Sequence, residues 1–176
     1  FMDAAHFVHG SFLSSLWSKV RLYVPSSPGR KRYNVLGALN AITKDILTVE
    51  NEEYINAESV GELIIKVHRH RNCDKVTIVL DNARYQTCKA VAQIAKELNI
   101  DLLFLPPYSP NLNIIERLWK FVKKHALNSQ YHAKFEDFKQ AIITTIKSDD
   151  LEVLKELENL LTLDFQDFSK AKILTV

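Results

Sequence analysis

Apolar residues fall into two rhythms along this chain. Residues 1–8 (FMDAAHFV) form a short strand-like run that ends near His9 and Gly10 and holds Asp3 inside it. Residues 33–42 (YNVLGALNAI) are a second mostly apolar run, and 46–54 a third with weaker alternation. Three such runs at close spacing, before any long helical pattern, predict an antiparallel meander. Residues 12–24 carry Leu13, Leu16, Trp17, Val20, Leu22 and Tyr23, which fits a short helix and an irregular strand equally. The period then changes. Val60, Leu63, Ile64 and Val67 recur at three and four, predicting a helix over Ala57–His70, with Lys66, His68, Arg69 and His70 where cations suit a helix end. Val76–Leu80 (VTIVL) and residues 102–105 read as short strands buried on both faces. Between them, residues 85–98 place Val91, Ile94, Ala95 and Leu98 on one side of a helix. A meander followed by strand–helix alternation predicts an α/β fold, a mixed sheet with helices on its faces. Two more amphipathic helices follow, marked by Phe135, Phe138, Ile142 and Ile146 and by Leu151, Leu154, Leu157 and Leu161. Both read as core packing; residues 165–176 form a tail without an assignment.

One stretch breaks both rhythms: residues 105–124, LPPYSPNLNIIERLWKFVKK. Pro106, Pro107 and Pro110 hold its first half extended, because proline fixes φ and biases the preceding residue away from helix. A helix then starts, with Asn113 as a good N-cap and Glu116 where a capping-box acid belongs. Ile115, Leu118, Trp119 and Val122 fall on one side of it; Lys120 and Lys123 fall on the side of Glu116. Glu116 is thus either a cap with Lys120 as its i,i+4 partner or a carboxylate presented for chemistry. The other two acids carry the same ambiguity. Asp3 reads as a surface acid or as a site residue. Asp81, at the end of a buried parallel strand, reads as a turn or N-cap residue, or as part of the crevice where α/β sheets bind ligands.

Length and composition narrow the classes. The chain has 176 residues, enough for one domain with a sizeable core. Hydrophobic residues are 47% and charged residues 25%, which excludes a disordered chain. A formal net charge of +2 means that any nucleic-acid contact must come from local clusters. Two are present: Arg30, Lys31 and Arg32 in the loop 25–32 (PSSPGRKR), and Lys120, Lys123 and Lys124. Each is either a solvated surface or a set of phosphate contacts. Cys73 and Cys88 have neither zinc-site spacing nor disulfide density, and His68 and His70 near Cys73 lack a fourth ligand. That usage fits a reducing cytosol. No apolar run is long enough to span a membrane, and no signal peptide is visible.

On a mixed sheet, Asp3, Asp81 and Glu116 can converge at one edge. Carboxylate oxygens are hard ligands suited to Mg²⁺ or Mn²⁺. Two such ions roughly 4 Å apart activate an attacking oxygen and stabilise a leaving one in phosphoryl transfer. Cations would also relieve the repulsion among three acids.

These residues carry a resemblance. LDNARYQ at residues 80–86, followed by LPPYSPNLNIIERLWKFVKK, resembles the DDE catalytic domain of bacterial insertion-sequence transposases in the mariner-like superfamily. DAAHF from Asp3 and GRKRYNVLGALNA at 29–41 precede them in the family's order, so the likeness runs from Asp3 to about Lys124. Thirty-four residues lie between Asp81 and Glu116, a spacing this superfamily uses. The resemblance implies a single RNase H-like domain over 1–176, a mixed sheet flanked by helices with additional C-terminal helices. It implies that Asp3, Asp81 and Glu116 are the catalytic acids and hold two Mg²⁺ or Mn²⁺ ions, with Asn82 orienting the second acid. The implied reaction is cleavage of DNA at the ends of a mobile element, followed by attack of the freed 3′-hydroxyl on target DNA, usually at TA dinucleotides. The implied partners are element ends and target DNA, with Arg30, Lys31, Arg32, Lys120, Lys123 and Lys124 on phosphates and a dimer in the full-length protein. The implied setting is a bacterial cytoplasm, at the nucleoid when DNA is bound.

Departures from the family pattern are Ile114 where many relatives have proline, Ala4 where many have glutamate, and Gln86 where many have histidine. None removes an expected ligand. The helix-turn-helix modules that precede this domain in relatives are not in the sequence. Only Phe1 and Met2 precede Asp3, so the first strand is expected to hold that acid loosely. Two alternatives stand beside the transposase: a truncated, non-catalytic remnant that only binds DNA, and another RNase H-like nuclease such as a junction resolvase.

Overall fold

A computed structural model describes residues 1–10, 19, 23, 31–107 and 109–165. The expectations for residues 12–24, apart from 19 and 23, and for Arg30 lie outside the described residues.

The meander is present. β1 (Met2–Val8), β2 (Arg32–Leu39) and β3 (Ile46–Asn51) pair antiparallel in that order. Asp3 stands opposite Gly37, and Val8 opposite Arg32. The strands alternate between two cores. Ala5, Phe7, Tyr33, Val35 and Leu39 face one, while Met2, Leu36 and Ala38 face the other. Successive side chains of a strand point to opposite faces, so both faces of this sheet are covered. Phe1 extends the ladder, accepting from the Leu39 amide at 2.8 Å and donating its amino group to the Leu39 carbonyl at 2.9 Å. With Met2 fully buried, the short strand start holds Asp3 more firmly than its length suggests.

α1 (Ala57–His70) starts on Asn56, whose side chain accepts from the Ser59 amide at 3.0 Å, and ends on the expected cations. β4 (Val76–Leu80), α2 (Lys89–Glu97) and β5 (Ile100–Phe104) form a parallel βαβ unit. α2 begins later than residue 85, because the Gln86 and Thr87 amides both turn back onto the Ala83 carbonyl. β1 lies beside β4, so the α/β sheet is built of two hydrogen-bonded pieces meeting at these strands. α1 and α2 cover one face. The opposite face of β4 and β5 is open. Thr77 and Asp101 are exposed, and Leu103 is 53% exposed, so neither strand is buried on both faces as its apolar run suggests.

α3 (Ile115–Val122) leaves the proline stretch and widens into a π-helical turn over Lys123–Leu127, where the Asn128 amide reaches the Lys123 carbonyl at 3.0 Å. α4 (Phe135–Ile146) and α5 (Leu151–Leu160) complete the second helical layer. Phe135, Phe138, Ile142 and Ile146 are all buried as predicted. α5 is rotated from its expected face. Leu157 and Leu161 are buried and Val153 and Leu160 pack beside them, but Leu151 is 73% exposed and Leu154 39%. Arg117 secures this arrangement: its guanidinium donates to the carbonyl of Leu160 at the end of α5 and to those of Thr162 and Asp164 just past it. Among the described residues no helix is long and apolar enough to cross a membrane.

Candidate active site

Asp3 is 8% exposed, and it sits on the β1 face that packs against α3. This contradicts a surface-acid reading. Its Oδ2 accepts from the indole Nε1 of Trp119 at 3.1 Å. The ring can lie there because residue 37 is glycine: a Cβ at that position would stand 2.6 Å from Trp119 Cη2. Phe7 meets the same indole edge-on, with ring centroids 6.4 Å apart.

Asp81 follows the last residue of β4 and is half-buried. Its Oδ1 accepts from the Ala83 amide at 3.1 Å, so the turn reading of this acid is satisfied while its other oxygen has no protein partner among the described residues. Among the described residues Asn82, expected to orient Asp81, makes no side-chain hydrogen bond to it. Its amide donates to the Leu105 carbonyl, and the Leu105 amide donates to Leu80 at 2.8 Å. Asn82 therefore fixes the start of the proline stretch against the end of β4.

Glu116 lies in the first turn of α3. The capping-box reading fails. Asn113 makes no side-chain cap, and Ile114 precedes the helix in helical conformation. Glu116 forms no ion pair with Lys120 or with any other described residue. The buried stripe is as predicted, with Ile115, Leu118, Trp119 and Val122 joined by Phe121.

Three distant elements thus deliver Asp3, Asp81 and Glu116 to one cleft of about 340 Å³, which Asn82, Pro106, Pro107, Ser109 and Asn113 also line. Burial pushes the Asp3 carboxyl up to about 7. Glu116 and Asp81 contribute to that rise after burial, and bonds from the Ala4 amide and Trp119 oppose it. Tyr85 is pushed up to about 12, by burial first and then by Asp81 and Asp3, which places its ring within the field of both acids. The donor chemistry suits a divalent cation: hard oxygens with uncompensated negative charge. Among the described residues no three acidic, histidine or cysteine side chains already form a coordination shell. Like charges sharing a cleft keep apart.

The basic residues are more scattered. Lys120 on α3 and Lys123 in the π-helical turn after it are exposed, without an ion pair among the described residues. Lys124 is committed to Glu156 of α5 at 2.8 Å. Lys31 and Arg32 are exposed, with the Lys31 ammonium 5.3 Å from the Phe135 ring centroid. Arg32 stands at the far end of the ladder from Gly37, about 17 Å away at a strand's rise per residue.

A family model for the DDE superfamily endonucleases matches residues 1–139. The chain belongs to this family. The DDE fold is also seen in solved structures. The Mos1 mariner paired-end complex with Mn is similar over 91% of this chain and 51% of that one, with a TM-score of 0.66 and 21% identity. The catalytic domain of Mos1 mariner transposase is similar over 90% of this chain and 76% of that one, with a TM-score of 0.54 and 19% identity. The RNase H-like fold expected of a DDE domain is therefore the fold present. A curated relative, the uncharacterized protein y4pE/y4sA of Sinorhizobium fredii, is 27% identical over 85 residues, 48% of this chain and 61% of that protein. The chain spans about half the length of the Mos1 chain in the paired-end complex. Trp119 and Asn113 were missed as site residues by pattern reading, since one fits the apolar stripe and the other a helix cap.

Proposed function

We propose that this DDE domain cuts DNA strands and joins them to target DNA, as the catalytic domain of a transposase that moves a bacterial insertion sequence. One observation carries the reading: Asp3 from β1, Asp81 from the end of β4 and Glu116 from α3 line the same cleft. In this reading the three acids hold two Mg²⁺ or Mn²⁺ ions. Bound there, such ions supply activation of the attacking oxygen and stabilisation of the leaving oxygen. The chain's own residues do the positioning. Trp119 fixes the rotamer of Asp3, the Ala83 amide fixes Asp81, and Asn82 braces the proline stretch between the second and third acids. Lys120 and Lys123, both exposed, are the proposed contacts to the phosphate backbone. The element ends and target DNA are the substrates, and two copies act together in the full-length protein. The site of action is the bacterial cytoplasm, at the nucleoid.

A strand-transfer assay tests this. Duplex oligonucleotides with free 3′-hydroxyl ends are incubated with supercoiled plasmid and Mn²⁺. Joined product from the parent, and none from Asp81→Asn, is the expected outcome. Joining at the parent's rate by Asp81→Asn would remove the acids from the reaction.

A further inference from the structure

Asn113 is only 3% exposed, and it does not cap α3. Its Nδ2 donates to the Met2 carbonyl at 3.3 Å, next to Asp3, and its own carbonyl accepts from the Glu116 amide at 3.1 Å. One residue therefore ties together the two elements that carry the first and third acids. The bond to Met2 also fixes which way the amide points, since only the nitrogen can donate to a carbonyl. The remaining atom, Oδ1, is buried without a hydrogen-bond partner among the described residues. Asn113 lines the cleft shared by Asp3, Asp81 and Glu116. A buried acceptor left unsatisfied is unfavourable and rare in native structures. A polar cleft of this size offers it a remedy, because a water there can donate to it.

We propose that Asn113 is a fourth oxygen of the acid cleft, its Oδ1 accepting a hydrogen bond from a water of the hydrated divalent cation. The inference rests on the metal-binding reading of the three acids. A neutral amide suits this place. It orients a water without adding a fourth negative charge to three carboxylates, and Mg²⁺ keeps several of its waters when bound by protein. Outer partners of this kind orient the coordination sphere and contribute measurably to affinity.

Mn²⁺ binding to the purified protein, read by electron paramagnetic resonance of the free ion, provides the test without relying on activity. Asn113→Ala is expected to bind Mn²⁺ about ten- to a hundredfold more weakly than the parent. Asn113→Asp loses the bond to Met2 but keeps an oxygen, and is expected to bind at least as tightly as the parent. Parent-like affinity in Asn113→Ala would overturn the proposal. Equal weakening in both variants would also overturn it, by reducing Asn113 to a clamp on Met2. Circular dichroism establishes that each variant is folded; if Asn113→Ala is not, the near-isosteric Asn113→Leu takes its place with the same expectation. A parent that binds no Mn²⁺, or binds it undiminished after Asp81→Asn, would instead sink the metal-binding reading, and the inference with it.

Discussion

Trp119 donates its indole N–H to Asp3 at 3.1 Å, across a glycine that leaves room for the ring. The bond favours the charged form of an acid that burial pushes toward neutrality. Trp119→Phe keeps a ring over Gly37 and removes the donor. Hydrogen bonds to charged groups contribute about 1.5–3 kcal/mol, so the Asp3 carboxyl should rise further. The acid limb of the pH–rate profile for DNA nicking should move upward by roughly one pH unit, with activity largely recovered at higher pH. Loss of rate at all pH values without a shift would reduce Trp119 to packing.

Gly37→Ala probes the same contact from below. The added methyl would meet Trp119 Cη2 at 2.6 Å, Cζ2 at 2.8 Å and Ile115 Cδ1 at 3.1 Å, and Phe7 stands edge-on to the indole. Overpacking of this kind destabilises by about 1–3 kcal/mol. Urea unfolding should show that loss, and nicking should fall because Asp3 loses its partner. Unchanged stability would mean that the ring moves freely.

Asp3 makes stability fall as pH rises. Its carboxyl titrates near 3.8 when free and about 7 in the fold. Between those values the folded state binds the extra proton. The group's full contribution is present below about pH 4, declines by about 1.4 kcal/mol per pH unit, and is gone above about pH 7. Urea unfolding with chelator present should therefore show parent minus Asp3→Asn stability decreasing from pH 5 to pH 8. Mn²⁺ at pH 8 should restore the parent alone. A flat difference would contradict the buried, crowded environment of Asp3.

Lys120 and Lys123 are exposed, whereas Lys124 is held by Glu156. Replacing Lys120 and Lys123 together with alanine should weaken DNA binding uniformly across sequences. The slope of log affinity against log salt should become shallower by about two. An unchanged slope would place the DNA elsewhere.

Much of this architecture is legible in the sequence because it rests on local periodicity. The α1 helix and the β4 strand coincide with their apolar patterns, and α4 buries its four predicted residues. What escaped depends on long-range geometry. In β1 both Met2 and Asp3 are buried, because each face meets its own helical layer, and no alternation marks the acid as inward. Trp119 fits the apolar stripe of α3 so well that its polar N–H gives no separate signal. Asn113 satisfies every local rule for an N-cap, yet its amide is taken by Met2, more than a hundred residues away. Leu151 and Leu154 share a helical repeat with Leu157, but Val153 and Leu160 supply the face that packs. The acids themselves are singled out by motif and spacing alone, since nothing in their own neighbourhoods separates a turn residue from a ligand.

The most direct test of the central claim is nicking of supercoiled plasmid by the purified protein in Mn²⁺, in Mg²⁺ and in chelator, beside Asp81→Asn. The acid cleft predicts nicking that needs the metal and disappears in the variant. Nicking that survives chelation or the loss of Asp81, or no nicking in either metal, would contradict it.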